Sequence, residues 1–410
     1  MLAIALLLSL ANFAQDKCFS FTYQQKEKQM NAATGQRAGS AEDFMDRQLQ
    51  HRGNGNLEGL TIRIPVVVHI LYHSPAEKIS DAQVNSQIAA LNNYFRRRNA
   101  DTINAPAYFR ALGADCEIEF YLATSDPRRR SPNGITRTYT PIAKWGADDK
   151  MKFSSETGVD AWDTKSYLNI WVCNLDKFAG YASFPGVDEK KDGLVISYLM
   201  FGTNNSGNGY SLGKTAVHEI GHWLGLKHTW GDDYCGDDKV DDTPKQASYT
   251  IGCPSGVRIT CNNAPYGDMY MNFMDLTNDV CVNMFTRGQK ARMRSLFEPG
   301  GVRNSLLSSK GLDLPLFDNI PLPGDDDPKW LHPQLFPNPA QSTMTLDLSY
   351  DFRWVGQTIF IMNLQGQSVM NVTITSKVQQ INIQKLQAGV YFLAAKKADG
   401  ESMKMKFVKL

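Results

Sequence analysis

His218-Glu219-Ile220-Gly221-His222-Trp223-Leu224-Gly225-Leu226-Lys227-His228 decides how the rest of this chain is read. Residues four apart on a helix share a face, one turn separated, so His218 and His222 can reach a single metal ion. Glu219 follows the first histidine directly and points beside the metal rather than at it. That position suits a general base acting on a water held at the metal. Gly225 falls where a helix can end in a left-handed residue. The turn it allows brings His228 back as a third ligand. Three neutral nitrogens leave one tetrahedral position open, the mark of a catalytic rather than a structural zinc site.

A bare H-E-x-x-H is moderate evidence, because it recurs by chance. Gly225 and His228 add two further fixed positions and complete the metzincin signature. The competing reading is an amphipathic core helix with merely hydrogen-bonded histidines. Against it, three of the seven histidines of the chain fall in this one segment, with a carboxylate where the chemistry needs it.

Length and composition set the frame. The chain has 410 residues, 42% of them hydrophobic, enough for two or three domains with packed cores. A net charge of +1 gives no reason to expect a nucleic-acid partner. Residues 1–14 are apolar but too short to span a bilayer, so we expect a signal peptide cleaved near Ala14–Gln15. A buried N-terminal helix is the alternative. No other run of about 18 apolar residues occurs, so no membrane span is expected. Seven cysteines in an exported chain suggest disulfides. Cys235, Cys253, Cys261 and Cys281 cluster after the zinc motif. Cys116 and Cys173 are either buried thiols or a pair, and Cys18 stands apart.

Residues 15–57 are polar, with little periodicity, and read as a pro-segment or a flexible lead. Cys18 is a candidate latency ligand, its thiolate filling the open zinc position until the segment is cut away. An incidental thiol and a lipid-attachment cysteine are the alternatives. A folded domain begins near Leu60. Residues 62–72 form a β-branched run that predicts a buried strand. Ser80 is the expected cap of a helix carrying Val84, Ile88, Leu91 and Phe95. Further strands are expected over 116–123, 167–175 and 194–198, with a short edge strand over 181–186 above the cleft. Ser211 is the expected cap of the zinc helix. Strands alternating with two long helices predict an α/β upper half.

Residues 229–265 are rich in turn formers. Six aspartates lie between Asp232 and Thr243, and carboxylates this close repel unless an ion offsets them. Calcium, which takes oxygen ligands, fits; a solvated acidic loop is the alternative. Met274 in Asn272-Phe273-Met274-Asp275 is a candidate methionine turn beneath the histidines. Thr286 is the expected cap of a final helix. Prolines and the triplet Asp325-Asp326-Asp327 mark a linker. From Leu335 the pattern changes to short alternating strands separated by turns, as in a small β-sandwich.

With these positions in hand, residues from about Leu60 to Ser305 resemble the pappalysin family of metzincin metallopeptidases. The likeness rests on Tyr-Leu-Asn-Ile-Trp-Val at 167–172, the zinc motif, Val240-Asp241-Asp242-Thr243-Pro244, the Asn272–Asp275 stretch and Cys281 through Phe285-Thr286. It implies an α+β fold: a two-lobed metalloprotease with a twisted mixed sheet and a zinc helix, joined to a small C-terminal all-β sandwich. It implies a zinc endopeptidase acting on proteins or peptides, with zinc on His218, His222 and His228. It also implies disulfides Cys235–Cys261 and Cys253–Cys281, and calcium with Asp238 and Thr243 among its ligands. Family members often cut before Arg or Lys. The tail, with Phe336-Pro337-Asn338-Pro339-Ala340 and Ala388-Gly389-Val390-Tyr391-Phe392, resembles the sorting domain of the type IX secretion system. That implies export through the type IX secretion machinery to the extracellular space or cell surface. An independent carbohydrate-binding or adhesive domain is the alternative. The expected domains are a signal peptide at 1–14, a pro-segment at 15–57, a catalytic domain at 58–305, a linker at 306–332 and the sorting domain at 333–410, in a monomeric chain.

Two positions depart from the family pattern. Leu276 stands where a tyrosine hydroxyl usually helps hold the substrate or oxyanion; either Tyr266 or Tyr270 substitutes, or the rate is simply lower. A lost oxyanion donor costs about 10²–10³ in rate. Val282, after Cys281, offers no carboxylate to a basic side chain, which leaves Asp279 as a distant candidate. Leu276 is also the best support for a rival reading, a surface binding or adhesion protein on a degenerate protease fold.

Overall fold

The structure, a computed structural model, describes residues 18–50, 57, 59–131, 133–203, 209–316, 333–349, 351–397 and 402–410. The signal-peptide expectation lies outside the described residues. The chain divides into two compact units, residues 1–71 with 79–322, and 72–78 with 323–410.

The first unit opens with two helices where the sequence shows little periodicity, α1 (Ser20–Met30) and α2 (Ala32–Gln50). Tyr23, Ala41 and Met45 are their buried apolar residues. Such sparse amphipathicity cannot hold isolated helices, and tertiary contacts supply the rest.

A six-stranded sheet follows. Its first strand is β1 (Ile62–Tyr72), in which only Arg63 is exposed. That profile belongs to a strand covered on both faces. After it come α3 (Asp81–Phe95), α4 (Ala107–Leu112), β2 (Ile118–Leu122), β3 (Ile135–Tyr139), β4 (Leu168–Cys173), β5 (Gly180–Ala182) and β6 (Leu194–Ser197). The order is β2-β1-β4-β6-β5, with β3 paired to β1. Strands β1, β2, β4 and β6 are parallel, and β5 runs antiparallel at the edge. Ser80 caps α3 by accepting the Gln83 N–H at 3.2 Å. Strand β3 escaped the sequence reading because Ile-Thr-Arg-Thr-Tyr carries little apolar signal.

The zinc-motif helix is α5 (Lys214–Trp223), which packs on β5 and β6. Its cap is not Ser211. Gly213 occupies that place with φ +74° and no side-chain acceptor. Asp279, distant in sequence, takes over by accepting the N–H groups of Leu212 at 2.9 Å and Lys214 at 3.4 Å. The last helix of the unit, α6 (Arg287–Ser295), starts in a full capping box of Thr286 and Gln289. Residues between α5 and α6 form almost no regular structure. Two disulfides brace them, Cys235–Cys261 and Cys253–Cys281. Cys116 and Cys173 are separate buried thiols. The expected linker begins too early at 306. Leu306 is buried, and the Gly311 carbonyl accepts the N–H groups of Thr124 and Ser125 at 2.9 and 3.2 Å.

The second unit is a small β-sandwich. One sheet has the order β11-β8-β7 and the other β10-β9-β12-β13. The strands are β7 (Gln334–Phe336), β8 (Thr343–Asp347), β9 (Thr358–Met362), β10 (Ser368–Thr373), β11 (Val378–Asn382), β12 (Gly389–Lys396) and β13 (Ser402–Lys409). Met344, Leu346, Trp354, Ile359, Ile361, Leu393 and Phe407 fill its core. No helix among the described residues is long and apolar enough to cross a membrane.

Candidate metal centre

Helix α5 carries His218 and His222 one turn apart, both essentially buried. It stops at Gly225, whose φ of +83° a Cβ would strain. The Leu226 N–H donates to the Gly221 carbonyl at 2.9 Å, and the reversed chain delivers His228. The Nε2 atoms of His218 and His228 lie 3.1 and 3.2 Å from Nε2 of His222.

Each ring's other nitrogen is already engaged. Nδ1 of His218 donates to the Phe273 carbonyl at 2.7 Å, and Nδ1 of His222 to the Leu226 carbonyl at 2.8 Å. Nδ1 of His228 bonds Asp232 Oδ1. A carbonyl can only accept, so His218 and His222 carry their protons on Nδ1 and turn bare Nε2 lone pairs toward one another. Burial, with His228 adjacent, pushes His222 down to about 3, so it does not protonate to relieve the contact. A metal cation accepts lone pairs that converge in this way. Ligands about 2.1 Å from a tetrahedral zinc lie about 3.4 Å apart, close to the spacing observed. The residues fit zinc.

Cys18 completes the set. Its Sγ is 3.4 Å from His222 Nε2, and its sulfur and the three imidazoles offer atoms all within 4.8 Å of one another. Burial and the Glu219 carboxylate hold the thiol well above its usual range, so ionising it requires a cation among the histidines, which a metal supplies. Residues 18–20 lie along β5. The Phe19 N–H donates to the Gly180 carbonyl at 3.2 Å, and Ser20 Oγ accepts the Ala182 N–H at 2.8 Å. The Ser20 hydroxyl also donates to Glu219 Oε2 at 2.6 Å. Glu219 is fully buried beside the cluster. Sequence reasoning missed Ser20, because nothing local marks a serine that meets a carboxylate 199 positions away.

Met274 sits under α5; a Cβ on Gly221 would meet its Sδ at 2.3 Å. Trp230 stacks on His228, with ring centroids 4.2 Å apart and planes at 8°. Leu276 is buried, Tyr266 stacks on Tyr108, and Tyr270 packs with Phe109 and Met269. Asp279 is engaged at the start of α5, and Val282 accepts Lys214 Nζ through its carbonyl at 2.7 Å.

The six aspartates do not converge. Asp232 serves His228, Asp237 pairs with Lys239, and Asp242 accepts Thr286 Oγ1 at 2.6 Å and the Gly288 N–H at 2.9 Å. Asp238 accepts Thr243 Oγ1 at 2.7 Å. Among the described residues, the one set of three or more His, Cys, Asp or Glu side chains suited to a metal is Cys18 with the three histidines.

Residues 152–298 match the family model described as Pregnancy-associated plasma protein-A, and 334–409 match the secretion system C-terminal sorting domain. An extracellular metalloprotease of Pyricularia oryzae is 46% identical over 251 residues, 58% of this chain and 75% of its own. One from Neurospora crassa is 32% identical over 249 residues, 57% and 74% of the two chains. Among solved structures, mature mirolysin of Tannerella forsythia with a cleaved peptide is 49% identical, with a TM-score of 0.59, over 60% of this chain and 96% of that one. A promirolysin mutant from the same organism is 43% identical, with a TM-score of 0.66, over 71% and 97%.

Proposed function

The chain belongs to the pappalysin family of metzincin metallopeptidases and carries a type IX secretion sorting domain, and on that premise we propose that Glu219 is the general base of its peptide-bond hydrolysis. The protein is a secreted or cell-surface zinc metalloendopeptidase. One observation carries the assignment of residues: three imidazoles turn their Nε2 atoms to a common point beside a buried carboxylate.

His218, His222 and His228 would hold the zinc. When bound, zinc acidifies a water and polarises the scissile carbonyl. Glu219 accepts the proton of the attacking water and passes it to the leaving amine nitrogen. The Asp232 carboxylate orients His228 and raises its basicity as a ligand. In Glu219→Gln, zinc stays at one equivalent while cleavage of casein falls at least about 10²-fold. Wild-type cleavage by that variant rules the assignment out.

Residues 15–57 are, in this reading, a pro-segment, and Cys18 is its latency ligand. Two findings support it: the Cys18 sulfur lies among the three imidazoles, their ligand atoms all within 4.8 Å of one another, and the promirolysin chain matches about a tenth more of this chain than mature mirolysin does. The unprocessed Cys18→Ala chain should cleave a peptide substrate at least about tenfold faster than the unprocessed wild type, since the thiolate no longer holds the site. Equal rates before processing would remove Cys18 from the mechanism.

Calcium with Asp238 and Thr243 belongs to the same proposal. A buried carboxylate held by the Thr243 hydroxyl and the Val240 N–H supports it.

A further inference from the structure

The chain leaves the metal centre along β5 and enters α1, where Tyr23 is 3% exposed. Its hydroxyl donates to Asp149 Oδ2 at 2.7 Å, and its ring centroid lies 5.0 Å from that of Tyr181 and 5.4 Å from Lys152 Nζ. The walls of this pocket are made without α1. Asp149 Oδ1 accepts the Tyr181 hydroxyl at 3.0 Å and lies 2.9 Å from the fully buried Lys152 ammonium. Lys152 also donates to the Lys191 carbonyl at 2.7 Å, and Trp171 and Met151 close the apolar sides. Burial opposes ionisation of Asp149, but the Lys152 ammonium above all, with the Tyr23 hydroxyl and Lys191, holds its carboxyl below the usual range. The pocket therefore ends in a fixed anionic acceptor, where a filler of mere shape would need only apolar walls.

Its position ties it to the cleft. Tyr181 is the middle residue of β5, between the backbone groups of Gly180 and Ala182 that receive residues 19 and 20. A Cβ on Gly180 would lie 3.4 Å from Glu219 Cγ, so the same strand overhangs the proposed base. Two extended residues and one helical turn carry the chain about 11 Å from Cys18 to Tyr23, the reach of about three extended residues.

We propose that, once residues 15–57 are gone, this pocket is a specificity subsite that takes the phenol side chain of a substrate tyrosine about three residues from the scissile bond, with Asp149 accepting its hydroxyl proton in a hydrogen bond. The proposal rests on the pro-segment and protease readings above. A site built around a hydroxyl rejects the analogue that lacks one, because its acceptor is then left underused. Lys191, 3.5 Å from Asp149 Oδ2, offsets part of that loss and sets the discrimination near 10- to 100-fold rather than higher.

The test uses the zinc-loaded processed chain and peptides sharing one cut site, with tyrosine, phenylalanine, O-methyltyrosine or alanine placed in turn up to four residues either side. Tyrosine should exceed phenylalanine by about tenfold or more in kcat/KM at one position about three residues from the cut, mostly through KM. O-methyltyrosine should fall to or below phenylalanine, since it cannot donate, and Asp149→Asn should narrow the tyrosine-to-phenylalanine ratio. Calorimetric binding of the same peptides to processed Glu219→Gln should give the same ratio in Kd. Equal values for tyrosine and phenylalanine at every position, or O-methyltyrosine matching tyrosine, overturn the subsite. If no peptide is hydrolysed, the protease assignment fails instead, and the binding ratio still decides the pocket.

Discussion

The three imidazoles of the candidate metal centre commit their Nδ1 atoms to two kinds of partner. Two go to carbonyls that the fold places, and the third goes to Asp232. Burial opposes ionisation of Asp232, but His228 beside it holds the carboxyl below its usual range. Asp232→Asn should weaken zinc binding by about 10- to 100-fold, read by competition with a chromophoric chelator. An unchanged affinity would show that Trp230, stacked on the other face of His228, orients the ring alone. The clustering of the three histidines beside Glu219 was legible because their spacing is local: a helix turn and a glycine stop are written in adjacent residues. Asp232 was visible too, but composition placed it with five other aspartates in a calcium loop. Only the folded chain distinguishes an aspartate that meets a histidine from one that meets a lysine.

Helix α5 ends at Gly225, and α2 is fitted to that ending. Met45 Sδ would stand 2.6 Å from a Cβ at Gly225. Arg292, fully buried on α6, donates to the Gly225 carbonyl at 3.0 Å and reaches Asp46 at 3.1 Å and Glu42 at 2.7 Å. Gly225→Ala should cost about 1–2 kcal/mol from the left-handed conformation alone, seen in the processed chain as a Tm lower by about 2–4 °C per kcal/mol. The unprocessed chain carries the Met45 clash in addition and should lose more. Equal losses in the two forms would mean that α2 does not press on this turn. Helices α1 and α2 were not legible because their stability comes from Arg292, Met45 and Tyr23 contacts with distant residues rather than from their own periodicity. Helix α6 was legible from its start, since a Thr-to-Gln capping box closes within four residues.

At the scale of the whole molecule, the region between α5 and α6 trades regular structure for cross-links, and its stability is coupled to pH through Asp238. Burial pushes that carboxyl up to about 7, against about 4 in an unfolded chain. Between those values the native state keeps a proton that the unfolded state has released, so stability falls as pH rises through the window. The loss is up to about 4 kcal/mol. A calcium ion at Asp238 would favour the carboxylate and flatten the slope. Thermal melts from pH 4 to 7, with calcium and with a calcium-selective chelator, should differ most near pH 7, and Asp238→Asn should remove the difference. Coincident melts at every pH would dismiss calcium from this position.

The sequence by itself determined the elements whose logic closes within a few residues: the histidine spacing, the glycine stop, the capped helices α3 and α6, the β-branched core strands and the alternating strands of the tail. Tertiary structure decided everything that depends on two distant segments arriving together. It chose Asp279 over Ser211 at the start of α5, brought Cys18 to the histidines and Ser20 to Glu219, and closed the pocket around Tyr23. The physical reason is range. Periodicity and capping are short-range terms printed in neighbouring residues, whereas the partner of a buried polar group is selected by whichever acceptor the packed chain carries within about 3 Å of it.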